Sequence, residues 1–345
     1  MENKLSKLPI SRILSPMDAP AIRWGVLGPG GIASAFASAV NNETTSRIAA
    51  VGSRQFDRAR YFANAYANKG EVRVYGAYEE LVNDDGIDAV YVASPHSEHR
   101  AHVSLALNAG KPVLVEKAFT QNAKQAVEIV ELARNKNLLL VEAMWTRFLP
   151  HIDVVRQLVE NGELGEIQTV IADHGQCMNF PPEHRLQNPA LAGGALLDMG
   201  IYPLSFMHMI LGNPDGFKVT ATLTETGVDE TLSAILRWKT AHGLLNTSQK
   251  AKTPTTASIN GTKARIEIPH NFYQPNEVNL IYPDGTHLHS RPEAVAGLAY
   301  EAAEFARLLA INAEESNLMT HADSISIMRI MDEMRAQVGV KYPGD

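Results

Sequence analysis

The sequence predicts two domains of different class. The first is an α/β domain with a parallel sheet; behind it lies a domain with a large, mainly antiparallel open sheet. Three observations lead there. Up to Trp145, short apolar β-rich runs alternate with helical patterns, and repeated βα units require a parallel sheet with helices on both faces. From residue 218 to 288 strand candidates are separated by turns at Gly227, Asn260-Gly261 and Asp284-Gly285 with no comparable helix between them, the pattern of hairpins. The length of 345 residues exceeds what one hydrophobic core usually serves.

The elements follow in order. Residues 22–27 read as a strand, 31–41 as an Ala-rich helix, 47–51 as a second strand and 57–67 as a helix. A short strand at 72–75, a helix at 78–82 and an apolar strand at 89–93 come next. Residues 99–109 form a helix closed by Gly110, which readily takes the left-handed cap. A strand at 113–115, a helix at 122–135 and a strand at 138–142 complete the first domain. Beyond it, a helix over 151–160 ends at Asn161-Gly162, a strand covers 167–174, and a helix over 195–211 stops at Gly212. After the strand-rich region, helices at 298–312 and 322–338 close the chain. The expected division is an N-terminal arm at 1–20, a first domain at 21–147 and a second at 148–319. The last helix, about residues 320–340, is expected to pack back on the first domain.

Composition sets outer limits. The charge of -7 argues against a nucleic-acid binder, which would carry a basic stripe. Hydrophobic residues at 45% and charged ones at 20% are ordinary for a globular protein. Cys177 is the single cysteine, so no intrachain disulfide forms, in keeping with a reducing compartment. No continuous apolar run approaches the roughly 18 residues of a membrane span, and the arm, with Lys4, Lys7 and Arg12, lacks the apolar stretch of a signal peptide. Cytoplasm is the expected location.

The first strand runs into Gly28-Pro-Gly30-Gly31-Ile32-Ala33, a match to G-x-G-x-x-A. Gly28 permits the tight turn, Gly30 lets backbone approach a pyrophosphate, and the small Ala33 lets helix and strand pack closely. The helix start offers free N–H groups and a positive dipole end to the phosphates. Such a pattern alone often marks only a turn; its place at the first βα junction is what gives it weight. Sites that prefer NAD put an acid at the end of the second strand, on the ribose 2′-hydroxyl. Here that place reads Gly52-Ser53-Arg54, with Arg58 one turn later. A guanidinium and a hydroxyl suit a 2′-phosphate, so NADP is the expected cofactor.

Lys117 follows the fifth strand directly, at the carboxyl edge where open α/β sheets bind ligands. Downstream, Gly193-Gly194-Ala-Leu-Leu-Asp198-Met-Gly200-Ile-Tyr202 opens a long helix, and the spacing of four puts Asp198 and Tyr202 on one face. Taken alone, Lys117 could be a surface cation, and Asp198 with Tyr202 a helix start and a core ring. His96, His99 and His102 are spaced by three, but no HExxH motif or cysteine cluster accompanies them, and no metal is expected. His102 reads as an ordinary helix residue, and His287 and His289 as solvated strand residues.

Together these motifs resemble the glucose-fructose oxidoreductase/inositol dehydrogenase, or Gfo/Idh/MocA, family over nearly all the chain after residue 20. The glycine motif, Ala93-Ser94-Pro95-His96-Ser-Glu-His99, Glu116-Lys117 and the Gly-Gly-x-x-x-Asp-x-Gly-x-Tyr run occur in family order. Glu142-Ala-Met-Trp145-Thr-Arg147-Phe148-Leu-Pro150 and Ile330-Met-Asp-Glu-Met-Arg335 resemble the branch of dimeric dihydrodiol dehydrogenase and NADP-linked D-xylose dehydrogenase. Tyr202, where many members have histidine, fits that branch. One departure is Ala118, where the family commonly has proline after Glu-Lys; proline would fix φ there and remove a donor.

The resemblance implies a Rossmann domain and hydride transfer between NADP and a small sugar, vicinal diol or dicarbonyl. It implies Tyr202 as general acid/base with Lys117 as its electrostatic partner, or Lys117 on the substrate oxygen. A free tyrosine, with pKa about 10, is a poor base that a nearby ammonium improves. Asp198 orients a hydroxyl or Lys117, or else caps its helix. Ser94, Pro95, His96, His99 and Glu116 are implied near the cofactor, His96 and His99 on its nicotinamide side. Trp145, Arg147 and Phe148, just past the sixth strand, are expected to line the substrate site, with interdomain packing the alternative for the two aromatics. A homodimer through the second sheet is implied as well. Two other readings use the same fold: a non-catalytic NADP-binding regulator, and an aldose–aldose oxidoreductase that keeps its nucleotide.

Overall fold

A computed structural model describes residues 4–345, so positions 1–3 of the expected arm lie outside the described residues. Two units emerge. One comprises Leu14–Trp145 with Val295–Arg329; the other joins residues 4–13 to Thr146–Ala294 and Ile330–Asp345.

In the first unit the strands are β1 (Arg23–Leu27), β2 (Arg47–Gly52), β3 (Arg73–Tyr75), β4 (Ala89–Val92), β5 (Val113–Glu116) and β6 (Leu140–Ala143). Between them run α1 (Gly31–Glu43), α2 (Phe56–Ala65), α3 (Tyr78–Val82), α4 (His99–Asn108) and α5 (Ala123–Lys136). The sheet order is β3-β2-β1-β4-β5-β6, with every pairing parallel. The chain order reverses between β1 and β4, so the carboxyl ends of these neighbours border the switch point where such folds bind nucleotides. β4, β5 and β6 are buried along their length, as expected of strands covered on both faces.

The second unit carries α6 (Pro150–Glu160), β7 (Ile167–Gly175) and α7 (Ile201–Leu211). The strands β8 (Gly216–Leu223), β9 (Asp229–Arg237), β10 (His242–Ser248), β11 (Ala257–Gly261), β12 (Arg265–Ile268), β13 (Val278–Ile281) and β14 (His287–Ser290) follow. They pair in the order β14-β13-β12-β11-β7-β10-β9-β8. All of these pairs are antiparallel except β7 with β10, so the expected mainly antiparallel sheet is present. Inward positions alternate with outward ones: Val170, Ala172 and His174 on β7 are buried while Ile171 is exposed. α7 packs on β7 and β10. The helical run Pro189–Leu211 is long and apolar enough to cross a membrane by length and composition, unlike any run expected from the sequence. Of its apolar window, 89% is buried within the protein, as suits a core helix.

Two elements differ from the expected division. α8 (Leu298–Ala310), assigned from the sequence to the second domain, belongs to the first unit. There it packs on α1, and its Phe305 ring meets Trp24 at 5.0 Å; burying those rings outweighs chain order. α9 (His321–Val338) is divided, its residues through Arg329 grouping with the first unit and those from Ile330 with the second. The arm is tied by Arg12 in the second unit. Its guanidinium and backbone N–H both donate to Asp153 at 2.7 Å. Burial alone would raise the Asp153 carboxyl, but these Arg12 bonds hold it below its usual value.

Candidate active site

Two clusters carry the chemistry, one in each unit. The first forms at the carboxyl ends of β1, β2 and β4. Gly28, at φ +93°, turns the chain out of β1, and a Cβ there would press on the Ala93 carbonyl and Ser94 nitrogen at 3.2 Å. The β1 and β4 loops therefore touch. α1 then begins at Gly31 with Gly30 as its N-cap, and no side chain caps it. A Cβ at Gly30 or Gly31 would meet nothing within 4 Å, and Ile32 is exposed. An α1 start with free N–H groups, no cap and open space fits a dinucleotide pyrophosphate. Ala33, fully buried, packs inward from the same turn.

Around this start, Arg58 donates from Nη2 to the Pro29 carbonyl at 3.4 Å, laying an exposed guanidinium beside the glycine loop. Ser53 is buried, and its hydroxyl accepts from the Gln55 N–H at 3.1 Å. Arg54 is exposed and within electrostatic reach of His102. Burial chiefly holds that imidazole below its ordinary pKa, and the Arg54 charge adds to the effect against Glu98. His102 shares a 2.9 Å hydrogen bond with the Ser94 hydroxyl, so it braces the β4 loop that contains Pro95.

His99 ties that loop to the lysine segment. Its Nε2 lies 2.8 Å from the Ser94 carbonyl and its Nδ1 2.9 Å from the Ala118 carbonyl. Burial pulls its pKa down to about 4, so at neutral pH the ring carries one proton and donates to one carbonyl at a time. His96 packs edge-on against it at 5.6 Å. The Lys117–Ala118 peptide is cis, Ala118 is fully buried, and Lys117 is half-buried. Glu116 accepts a hydrogen bond from the Tyr91 hydroxyl. Sequence reasoning missed Glu301 on α8, a buried acid whose two oxygens have no hydrogen-bond partner among the described residues. Burial, and after it the Glu116 charge, raises its pKa well above the usual range. Among the described residues no group of three or more His, Cys, Asp or Glu side chains is arranged to hold a metal.

The second cluster surrounds Tyr202, which stands in the first turn of α7 and is 7% exposed. The helix expected over 195–211 is two pieces, a π-helical turn at Leu196–Gly200 followed by α7. Asp198 sits in the π turn, with Arg185 Nη2 3.3 Å from its Oδ1. The Tyr202 ring lies 5.3 Å from His174 and 4.8 Å from Tyr273, and His174 stacks on Tyr273 at 4.4 Å. Tyr273 marks the meeting point with Asp198: burial first, then the Asp198 charge, raises its phenol. His174 also lies 3.0 Å from the Gln176 amide through Nε2. Tyr273 thus links Asp198 and Tyr202: its ring lies against Tyr202, and its phenol is within electrostatic reach of Asp198.

Two of the substrate candidates from the sequence are buried. Phe148 is fully buried. Arg147 is buried and donates to the Ser205 hydroxyl at 3.0 Å and carbonyl at 3.1 Å, fixing α7 one turn beyond Tyr202. Trp145, half-buried, is the candidate that stays accessible.

Comparison with known proteins agrees with this geometry. Residues 22–144 match the oxidoreductase family with an NAD-binding Rossmann fold, and residues 152–267 match the GFO/IDH/MocA C-terminal domain. The chain belongs to the Gfo/Idh/MocA family. It is 34% identical to D-xylose 1-dehydrogenase (NADP(+)) of Hypocrea jecorina, across 93% of each chain. It is 33% identical to human trans-1,2-dihydrobenzene-1,2-diol dehydrogenase over 94% of this chain and 99% of the relative. Among solved structures, a 3-ketoreductase from Actinomadura kijaniata in complex with NADP and TDP-benzene superposes with TM-score 0.80 at 26% identity. That match covers 92% of this chain and 98% of the other. Within this Gfo/Idh/MocA chain, the cofactor loop was readable because its signal is contiguous. His174, Arg185 and Tyr273 were not; the only hint for His174 was its inward place in the alternation along β7.

Proposed function

We propose that this protein is an NADP-dependent oxidoreductase acting between CH–OH and C=O in a small sugar, vicinal diol or dicarbonyl. The observation that carries the reading is the uncapped, open start of α1, flanked by Ser53, Arg54 and Arg58 with no acid at the end of β2. The Gly31 and Ile32 N–H groups would hold the pyrophosphate, with Gly30 leaving room for its approach, and Arg54, Arg58 and Ser53 would take the 2′-phosphate. Ser94, Pro95, His96 and His99 border the nicotinamide end, where Glu116 supports the lysine segment. Bound NADP supplies the hydride carrier.

The chain's own task is the proton. On reduction the Tyr202 hydroxyl gives its proton to the nascent alkoxide; on oxidation the phenolate takes it back. Lys117 is assigned to favour that phenolate. Asp198, shared with Arg185, orients the substrate hydroxyl, and the His174 and Tyr273 rings fix the Tyr202 ring. The relative named D-xylose 1-dehydrogenase (NADP(+)) and the NADP-bound 3-ketoreductase support the cofactor, and the D-xylose and dihydrodiol in the relatives' names support the substrate class.

The test is a panel of D-xylose, D-glucose, a trans-dihydrodiol and a dicarbonyl followed by NADPH absorbance. Turnover of at least one is expected. Tyr202→Phe should lower kcat about a thousandfold, within the range for a lost acid/base, while NADPH binding stays within about twofold. No turnover on the panel, or full activity in Tyr202→Phe, overturns the reading. Nucleotide that survives extensive dialysis would favour aldose–aldose exchange instead.

A homodimer through the outer sheet face is part of the same proposal. Ile235 pairs with Leu244, which pairs with Ile171, and these neighbours on β9, β10 and β7 are 55%, 41% and 42% exposed. An apolar row of this kind commonly marks an interface. Sedimentation should give a dimer that Leu244→Lys dissociates.

A further inference from the structure

A buried carboxylate outside the Tyr202 cluster holds the turn on which that cluster depends. Asp229 opens β9 and is completely buried. Its Oδ2 accepts from the Leu196 N–H at 2.6 Å, the first residue of the π-helical turn that carries Asp198. Its Oδ1 faces the preceding glycines: a Cβ at Gly194 would overlap it, and Gly194 has φ +116°. Glycine is required there by conformation and by the carboxylate together.

The C-terminal tail closes the arrangement. The Tyr342 hydroxyl donates to the Gly193 carbonyl, so the residues on either side of the helix start are gripped from two elements. Tyr342 is nearly sealed from solvent and stacks under the Arg335 guanidinium at 4.3 Å. Arg335 pairs with Asp345 at 2.6 Å and Asp332 at 2.7 Å, and the Tyr342 N–H donates to Asp345 at 2.8 Å. The groups facing Asp229 are Arg335, Tyr342 and the N–H groups of Leu196, Ala195 and Asp229 itself; burial raises its pKa to about 7, against these N–H bonds and the Arg335 charge.

We propose that Asp229, with Tyr342, is a positioning residue: together they fix residues 193–200 and so set where Asp198 and Tyr202 present their polar atoms. The inference rests on the proposed role of Tyr202 for its kinetic consequence, and on the geometry alone for its structural one. An isolated packing role would leave the turn as rigid as the sheet around it. An anchor makes the turn the first segment to loosen when it is cut.

Hydrogen–deuterium exchange resolved at residues 193–202 reads the anchor, in Asp229→Ala, Asp229→Asn and Tyr342→Phe beside wild type. Asp229→Ala should exchange about tenfold faster or more in that segment while the strands β7 and β10 hold. Asn keeps an acceptor oxygen and should restore exchange to within about threefold. Tyr342→Phe removes one oxygen from an otherwise intact protein and should move the same segment in the same direction. Steady-state kinetics on the panel substrate should show kcat down about tenfold in Asp229→Ala with the KM for NADPH unchanged. If the segment exchanges as in wild type in both Asp229→Ala and Tyr342→Phe, the anchor is refuted. It is refuted equally if the segment opens only together with β7 and β10. Should Asp229→Ala fail to fold, Tyr342→Phe decides. Wild type without turnover would defeat the enzymatic reading while the exchange result still judges the anchor.

Discussion

The starts of α1 and of the 196–211 helix solve one electrostatic problem in opposite ways. Both present N–H groups without intrahelical partners at the positive end of a dipole. At α1 the protein leaves them bare: Gly30 caps nothing, and space is open above Gly30 and Gly31. At residue 196 the protein fills the position itself, with the buried Asp229 carboxylate on the Leu196 N–H. A helix start without a side-chain cap is open to an anion from outside. One filled from within is a fixed platform, fit to carry side chains such as Asp198 and Tyr202 that must not move.

The largest effect should come from making the first start resemble the second. Gly30 has φ −106° and ψ −169°, which aspartate adopts freely, and its Cβ would meet no atom. Gly30→Asp is expected to keep the fold and raise the melting temperature slightly, since aspartate is a favoured N-cap. The same charge would repel a pyrophosphate by about 4 kcal/mol, a roughly thousandfold loss of NADPH affinity. Fluorescence titration and a thermal melt measure both. Retained affinity would show that the cofactor phosphates sit elsewhere.

The second start predicts a pH dependence. Asp229 has its pKa raised from 3.8 to about 7, burial being the main cause. A raised carboxyl contributes stability that is fully present below the unfolded value and is lost as pH rises through the folded one. Wild type should therefore lose stability relative to Asp229→Asn between about pH 4 and 7, and no further above it. Three units correspond to at most about 4 kcal/mol. Paired urea melts across that range check it. A difference that stays flat with pH, or runs the other way, removes Asp229 as the titrating group.

The contrast also explains what was legible in the sequence. Gly28, Gly30, Ser53 and Arg54 act through backbone and through neighbours a few residues away, so a contiguous string reveals them. α3 falls at Tyr78–Val82, where the pattern put it, because a short amphipathic turn is a local decision. The Tyr202 cluster is different. His174 comes from β7, Tyr273 from the loop after β12, Asp229 from β9 and Tyr342 from the tail. Only the register of the sheet and the packing of α7 bring them together, and no short string encodes either. For Phe148 and Arg147, too, chain position beside Trp145 says nothing of which way each side chain turns.

Arg54 should account for most of the preference for NADP over NAD. Charge-assisted hydrogen bonds contribute about 1.5–3 kcal/mol, so Arg54→Ala is expected to weaken NADPH roughly 10- to 100-fold. NADH should be affected little, as comparative Kd values would show. Equal losses for both nucleotides would move Arg54 off the 2′-phosphate.

The smallest effect belongs to Arg58. Its guanidinium is exposed and its one hydrogen bond, to the Pro29 carbonyl, is 3.4 Å long, so solvent screens whatever charge it offers. Exposed ion pairs contribute about 0.2–1 kcal/mol, and Arg58→Ala should weaken NADPH no more than about fivefold. Raising ionic strength should shrink that difference further, because a screened surface contact is the first to fade with salt. If Arg58→Ala instead costs more than Arg54→Ala, the guanidinium is folded onto the nucleotide when it binds. The bare helix start would then have a side-chain lid of its own, and the distinction between the open and the filled platform would be one of timing rather than of construction.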